Sequence, residues 1–566
     1  MSVRRALLLV GVLVAAAVPP AGAAATGDDV PPAEPRLIES FPRERRVYMI
    51  TDSVGLGARA AMPHAFGPEW QVTVEGRPAL RPAVAVGEVA AAIRDRPWAF
   101  GDHVIIAVAY NYPITSVNPR IANSAEFDRN LDAMMAVLRG AGVKHVHWVT
   151  LREVKPQYIS HGAWRQIQPY YWYFPEANDR LEAALERHPE LSLIDWAAVA
   201  DQPGLTYDAI HLNNTGAALY SHIAAHAVRA AETRVGNDST TRIEIPDADG
   251  VEAVALNLTT TDPRRNGHLT AYACDGERPT TSNHNYSRAQ VVAHSAIVPV
   301  NGDGEVCVHS HTATNLIVDV TGRFDSDAGI TSSTPERLRD TRSNGSPQPA
   351  FTPLVVPAGP PGVPVALTVT ALGATQPGWV RVAPCDSNDT TSNLNMYDAA
   401  PVPNVAVVAS GADGTVCVTA SVPTHLLVDR FVTFDDESGV APISPRRVHD
   451  SRQLGGPVGA GEVVRLTRQQ LGNTPATGVM LNLTSTGSTA PGYLAAYPCK
   501  RGRPDTSNLN FAPGTVVANF AIIEPDVDGD VCVYASAPTH VVIDLMGTTT
   551  AGFTGGAPVR LLDTRN

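Results

Sequence analysis

The sequence predicts an α/β domain on a parallel sheet, followed by an all-β region of three repeats. Three observations predict it. Between residue 46 and about residue 232, short apolar runs alternate with amphipathic stretches. From about residue 235 helical periodicity fades, and Thr, Val, Pro and Gly rise. Short motifs then recur three times, 110 and 115 residues apart. The 566 residues are too many for one core and fit about three to five domains. A composition of 44% hydrophobic and 17% charged residues is that of a globular chain.

Taken in order, the chain opens on Arg4 and Arg5, an apolar run over 6–18 and the small-residue site Ala21-Gly22-Ala23. That pattern predicts an export signal over 1–25. The run is shorter than the ~20 residues that span a bilayer. Residues 26–44 read as a linker and 45–233 as the α/β domain. Residues 47–51, 104–109, 145–151 and 191–196 read as buried strands. Phe127, Leu131, Met134 and Leu138 recur at helical spacing; 175–187 and the alanine-rich 214–231 are further helices. Strand–helix alternation implies three layers, a parallel sheet covered on both faces. Chemistry on such a sheet belongs at the carboxyl ends of its strands.

The repeats carry three motifs. Thr281-Ser282-Asn283-His284-Asn285 recurs at Thr391–Asn395 and Thr506–Asn510 with Leu in place of His. Asp303-Gly304-Glu305-Val306-Cys307 recurs around Cys417 and Cys532, and each copy then runs into an apolar strand ending at Asp319, Asp429 or Asp544. Asp-Ser/Thr-Arg stands at 340–342, 450–452 and 563–565, and none precedes the first repeat. The motif is therefore expected to close each unit, giving units at 235–342, 343–452 and 453–566, with its Asp and Arg as a structural ion pair. Each unit holds two cysteines, 33, 32 and 33 residues apart. The equal spacing predicts the disulfides Cys274–Cys307, Cys385–Cys417 and Cys499–Cys532. An even count without a C-x-x-C pair points away from zinc.

Two stretches of the α/β region carry chemistry. Thr51-Asp52-Ser53-Val54 ends a strand and opens a helix. A serine hydroxyl becomes a nucleophile only with a base in reach and a carboxylate behind that base. Alone, Asp-Ser at a helix start reads equally as an N-cap. Tyr207-Asp208-Ala209-Ile210-His211, before the last helix, supplies an Asp and a His three apart. The carboxylate can hold one imidazole nitrogen and leave the other to take a proton.

Together these stretches resemble the first and last blocks of the SGNH (GDSL-like) hydrolases, over roughly residues 45–232. The resemblance implies an SGNH-like three-layer fold, Ser53 as nucleophile and Asp208 and His211 as its partners. It also implies an oxyanion hole from the Ser53 N–H, the Gly76 N–H and the Asn111 side chain. The sequence departs from the family pattern at Thr51 and Ala109, both in place of Gly, and at Tyr112, in place of Asp. The repeats resemble β-rich modules of exported actinobacterial proteins, which implies a cell-surface role.

The expected protein is a secreted or cell-surface serine esterase acting on short acyl esters of an extracellular polysaccharide or glycolipid. An O-acyltransferase for cell-wall sugars, or a surface-binding protein with a degenerate esterase site, are the rival readings. The partners expected are an acyl-ester substrate and, through the repeats, a cell-surface polymer. The net charge of −13 and the lack of a basic block exclude nucleic acid as a natural partner. No HExxH, P-loop or GxGxxG pattern calls for a metal or organic cofactor. His145 and His147 alternate on a strand and read as structural. Five consecutive aromatics, Tyr170 to Phe174, are candidates for a substrate cleft.

Overall fold

The computed structural model describes residues 41–111, 119–155, 173–325, 328–387, 391–435, 438–473 and 475–565. The expected leader over 1–25, most of the expected linker, Tyr112 and the stretch from Trp164 to Trp172 lie outside them. The chain divides into two compact units, Met1–Glu232 and Thr233–Asn566.

In the first unit, five strands form one parallel sheet: β1 (Arg46–Thr51), β2 (Gln71–Gly76), β3 (His103–Ala107), β4 (His145–Val149) and β5 (Leu191–Ile194). Their order is β2-β1-β3-β4-β5. The apolar runs read as buried strands do form β1, β3, β4 and β5. The strands are apolar on both faces because helices cover both. Tyr48, Ile50, Val104 and Ile106 point into one core, and Met49, Val47 and Ile105 into the other. Phe127, Leu131, Met134 and Leu138 are all buried in the first core. They lie on α4 (Pro119–Gly140), which follows α1 (Ser53–Leu56), α2 (Ala61–Phe66) and α3 (Pro82–Asp95). The remaining helices are α5 (Tyr173–Ala184), α6 (Trp196–Val199) and α7 (Asn214–Thr233).

At the amino end of the sheet, His147 accepts or donates between His103 Nδ1 at 3.2 Å and Ser192 Oγ at 2.8 Å, and His145 stacks on His103. His103 and His147 are buried polar groups that bond to each other, with Ser192 completing His147, while His145 is half-buried beside them. Tyr173 and Phe174, the described end of the aromatic run, are buried in the core rather than open to a cleft.

The second unit is all β. Six four-stranded antiparallel sheets pair into three sandwiches, each with its own apolar core. A fourth core joins one sheet from each sandwich, through Phe324, Phe431, Phe434, Phe520 and Phe553 among others. The three cysteine pairs are bonded as Cys274–Cys307, Cys385–Cys417 and Cys499–Cys532.

The sheets depart from the expected unit limits. Strand Ile330–Asp340 pairs with His425–Phe434 of the following repeat, and Val440–Asp450 with His540–Thr549. The last strand, Phe553–Asp563, returns to pair with Asn315–Asp325 of the first repeat. The strand leading into each Asp-Ser/Thr-Arg motif thus sits in the sheet of the next unit, and the chain's end completes the first. The exchanged strand is an edge strand in each case, so the three sheets share one four-stranded make-up.

The motif makes its ion pair in all three copies: Asp340–Arg342, Asp450–Arg452 and Asp563–Arg565. A second arginine three residues before each motif Asp reaches a buried aspartate, Arg337–Asp429, Arg447–Asp544 and Arg560–Asp319. These aspartates lie within strands that run on to Phe434, Thr549 and Asp325, rather than ending there as the sequence suggests.

Candidate active site

The carboxyl ends of β1, β2 and β3 meet at one place. Thr51 at the end of β1 is in register with Gly76 on one side and Ala107 on the other. The Thr51 hydroxyl donates to the Ala107 carbonyl at 3.1 Å and ties the two strand ends together. A Cβ on Gly55 would lie 2.1 Å from that hydroxyl, so glycine in α1 makes room for Thr51. Gly76 is required more strictly. Its φ is +149°, and a Cβ there would lie 1.8 Å from the Thr51 carbonyl oxygen.

Ser53 is the first residue of α1, directly after the turn. Asp52 is its N-cap, accepting from the Val54 N–H at 3.0 Å through Oδ1. The capping reading and the nucleophile reading thus fall on adjacent residues and do not compete. The other oxygen of Asp52 accepts from the N–H groups of Ala109 and Tyr110 at 3.4 and 3.2 Å. Asp52 is fully buried. Burial pushes its carboxyl up to about 6, against the pull of the Val54, Ala109 and Tyr110 N–H groups and the nearby Asn111 amide. Ala109 holds φ +143°, a glycine-like conformation at the position where the resemblance expects glycine.

His211 and Asp208 come from a short loop before α7. An isolated bridge between Thr206 and Leu212 closes it, and Asn213 caps α7 by accepting from the Gly216 N–H at 2.9 Å. The imidazole stands between the other two groups. His211 Nε2 lies 2.9 Å from Ser53 Oγ, and Nδ1 lies 2.6 Å from Asp208 Oδ2. The second oxygen of Asp208 accepts from the N–H groups of His211 at 2.8 Å and Ile210 at 3.3 Å, so the carboxylate is fixed by its own loop. Tyr207 stacks on the His211 ring at a centroid distance of 5.7 Å while remaining largely exposed.

Asn111 follows the end of β3. Its Nδ2 is buried and meets no hydrogen-bond partner among the described residues. The amide is nevertheless close enough to the Asp52 carboxyl to pull its pKa down. Beside Gly76, a cavity of about 270 Å³ is lined by Glu75, Arg77, Glu88 and Arg96 among others. No group of three or more His, Cys, Asp or Glu side chains among the described residues could hold a metal ion. The six cysteines are all disulfide-bonded and stand in the other unit.

Ser53, Asp208 and His211, chosen from sequence, therefore stand in one hydrogen-bonded chain, and Gly76 lies at the strand end beside Ser53's own strand. Sequence reasoning passed over Tyr110 and Arg152, which tie these loops to the sheet. The available signal was a charged residue, Arg152, directly after the apolar run 145–151.

No family model and no curated protein matches the chain. Solved structures resemble about a third of it. One is the C-terminal catalytic domain of peptidoglycan O-acetyltransferase A from Streptococcus pneumoniae, at 22% identity over 33% of this chain and 94% of that one, with a TM-score of 0.25. A carbohydrate acetylesterase from Sinorhizobium meliloti matches at 15% identity over 33% and 99%, with a TM-score of 0.26. An acetylxylan esterase from Geobacillus stearothermophilus matches at 13% identity over 33% and 93%, with a TM-score of 0.22.

Proposed function

We propose that the protein is an exported serine esterase that hydrolyses short acyl esters. The observation that carries the proposal is the continuous chain Ser53 Oγ, His211 Nε2, His211 Nδ1, Asp208 Oδ2. In this reading His211 takes the Ser53 proton as Oγ bonds to the ester carbonyl carbon. Asp208 holds the imidazole in the required tautomer and stabilises its charged form. The Ser53 and Gly76 N–H groups and the Asn111 amide receive the oxyanion. The unpartnered Asn111 Nδ2 supports that assignment. The carbon–oxygen bond to the alcohol then breaks, and His211 returns its proton to the departing alcohol. Water attacks the acyl-enzyme, loses its proton to His211, and Ser53 regains it as the acid leaves.

Export is supported by the leader and by three disulfides, which persist in oxidising compartments. Among the described residues, no helix is long and apolar enough to cross a membrane. A short acyl group is inferred from the lack of a long apolar insertion between the strands in sequence.

The test is turnover of a chain-length series of aryl esters by the purified full chain and by Ser53→Ala. The expected maximum is at acetate or propionate, and Ser53→Ala loses turnover while keeping its circular dichroism. Unchanged turnover in Ser53→Ala overturns the nucleophile assignment. A preference for long fatty acyl chains overturns the short-acyl reading.

A further inference from the structure

Arg152 lies three residues past the end of β4 and is 1% exposed. Its guanidinium donates to one stretch of chain at several points. Nε donates to the Ala200 carbonyl at 2.8 Å, and Nη2 to the Gln202 carbonyl at 2.7 Å. Nη1 donates to the Thr206 hydroxyl at 2.5 Å and to the Ala209 carbonyl at 3.0 Å. Among the described residues these four acceptors fall between residues 200 and 209, in the segment that leads to Asp208 and His211.

Ala209 is the tightest point of that segment. It stands between Asp208 and Ile210 at φ +91°, a conformation that an alanine adopts only when its surroundings impose it. The fold back at Ala209 is what lets Asp208 accept from the Ile210 and His211 N–H groups. Arg152 grips the carbonyl of that same residue.

The other end of the network reaches Ser53. The Arg152 backbone N–H donates to the Tyr110 hydroxyl at 2.5 Å, and the Tyr110 N–H donates to Asp52 beside Ser53. A single residue just past β4 is thus bonded both to the loop of the base and, through Tyr110, to the turn of the nucleophile.

We propose that Arg152 is a positioning residue that sets the angle and distance of the Asp208–His211 pair to Ser53. The proposal rests on the reading of Ser53, His211 and Asp208 as a triad. The planar guanidinium suits the role because its donors diverge in a fixed fork and reach several acceptors at once. A lysine ammonium is a single point on a flexible stem. Small displacements of an aligned group carry a large kinetic cost.

The test compares Arg152→Met, Arg152→Lys, Thr206→Val and Ser53→Ala in the full chain. The readouts are kcat and KM on an aryl acetate, circular dichroism, and the low-field proton resonance of His211 Nδ1–H. Arg152→Met is expected to lower kcat on the order of 10²-fold. KM should stay nearly constant and the resonance should broaden or vanish. Arg152→Lys should recover part of both. Thr206→Val removes one acceptor while leaving Arg152 in place, and is expected to lower kcat roughly 10-fold. It keeps the test decisive if Arg152→Met does not fold: wild-type kcat and resonance in Thr206→Val and in Arg152→Lys would then overturn the role. Full turnover in a folded Arg152→Met beside loss in Ser53→Ala overturns the positioning role alone. Full turnover in Ser53→Ala overturns the triad and the role together.

Discussion

The two units use buried charge in opposite ways. In the β unit one kind of buried ion pair occurs three times, as Arg337–Asp429, Arg447–Asp544 and Arg560–Asp319. In the α/β unit Asp52, Arg152 and the Ser53–His211–Asp208 chain each occur once, and all gather at the carboxyl ends of the strands. A contact repeated with the fold serves the fold. A contact made once, at the place where a parallel sheet opens its loops, is free to serve chemistry. The comparison predicts that changes in the repeated contacts cost stability and leave turnover intact, while changes in the unrepeated ones cost turnover first.

The largest effect is expected from Arg337→Met. Asp429 is buried, and burial already raises its pKa against the pull of Arg337. Removing the partner of a buried charge costs about 3–5 kcal/mol. Denaturant unfolding of the β unit should shift by that amount, with kcat on an aryl ester unchanged. A fall in kcat without a change in unfolding would break the comparison.

Asn111→Ala should do the reverse. Loss of one oxyanion donor lowers kcat by about 10²–10³-fold. Stability should change little by comparison, because the amide nitrogen makes no hydrogen bond of ordinary geometry and acts on Asp52 only from nearby. Steady-state kinetics beside thermal unfolding separates the two effects. A kcat within twofold of wild type removes Asn111 from the proposed oxyanion hole.

The smallest effect belongs to Asp52, which stands on the boundary between the two uses. Its carboxyl is pushed up from 3.8 to about 6, first by burial. A carboxyl with a raised folded-state pKa holds its proton more tightly when folded. Its contribution is therefore complete below the unfolded value near pH 4 and lost as pH rises through about 6. The loss amounts to about 3 kcal/mol across that window. Asp52→Asn should flatten this slope. It should also lower stability at every pH, because one end of the amide turns a donor toward donors. Unfolding of both proteins from pH 4 to 7 measures the difference, and an equal slope in the two would remove Asp52 as its source.

Much of this was legible in the sequence, for identifiable reasons. The strands of the α/β unit are buried on both faces, so they appear as plain apolar runs. The repeats announce themselves because the same solution is written three times. Ser53, Asp208 and His211 were legible because each sits in a short local motif. Arg152 was not, because its acceptors are mostly backbone carbonyls about 50 residues away, which leave no trace in side-chain pattern. The unit limits of the β region misled for a related reason. The position of the motif along the chain says where a strand lies in sequence, and strand exchange decides which sheet receives it.

The central claim is that Ser53 is a nucleophile made reactive by His211. A fluorophosphonate that modifies activated serines tests it directly, with the site of the adduct read by peptide mass mapping. One adduct per chain is expected, on Ser53, formed in step with the loss of ester turnover, and no adduct in His211→Ala. An adduct on another serine, or full turnover retained after Ser53 is modified, would contradict it.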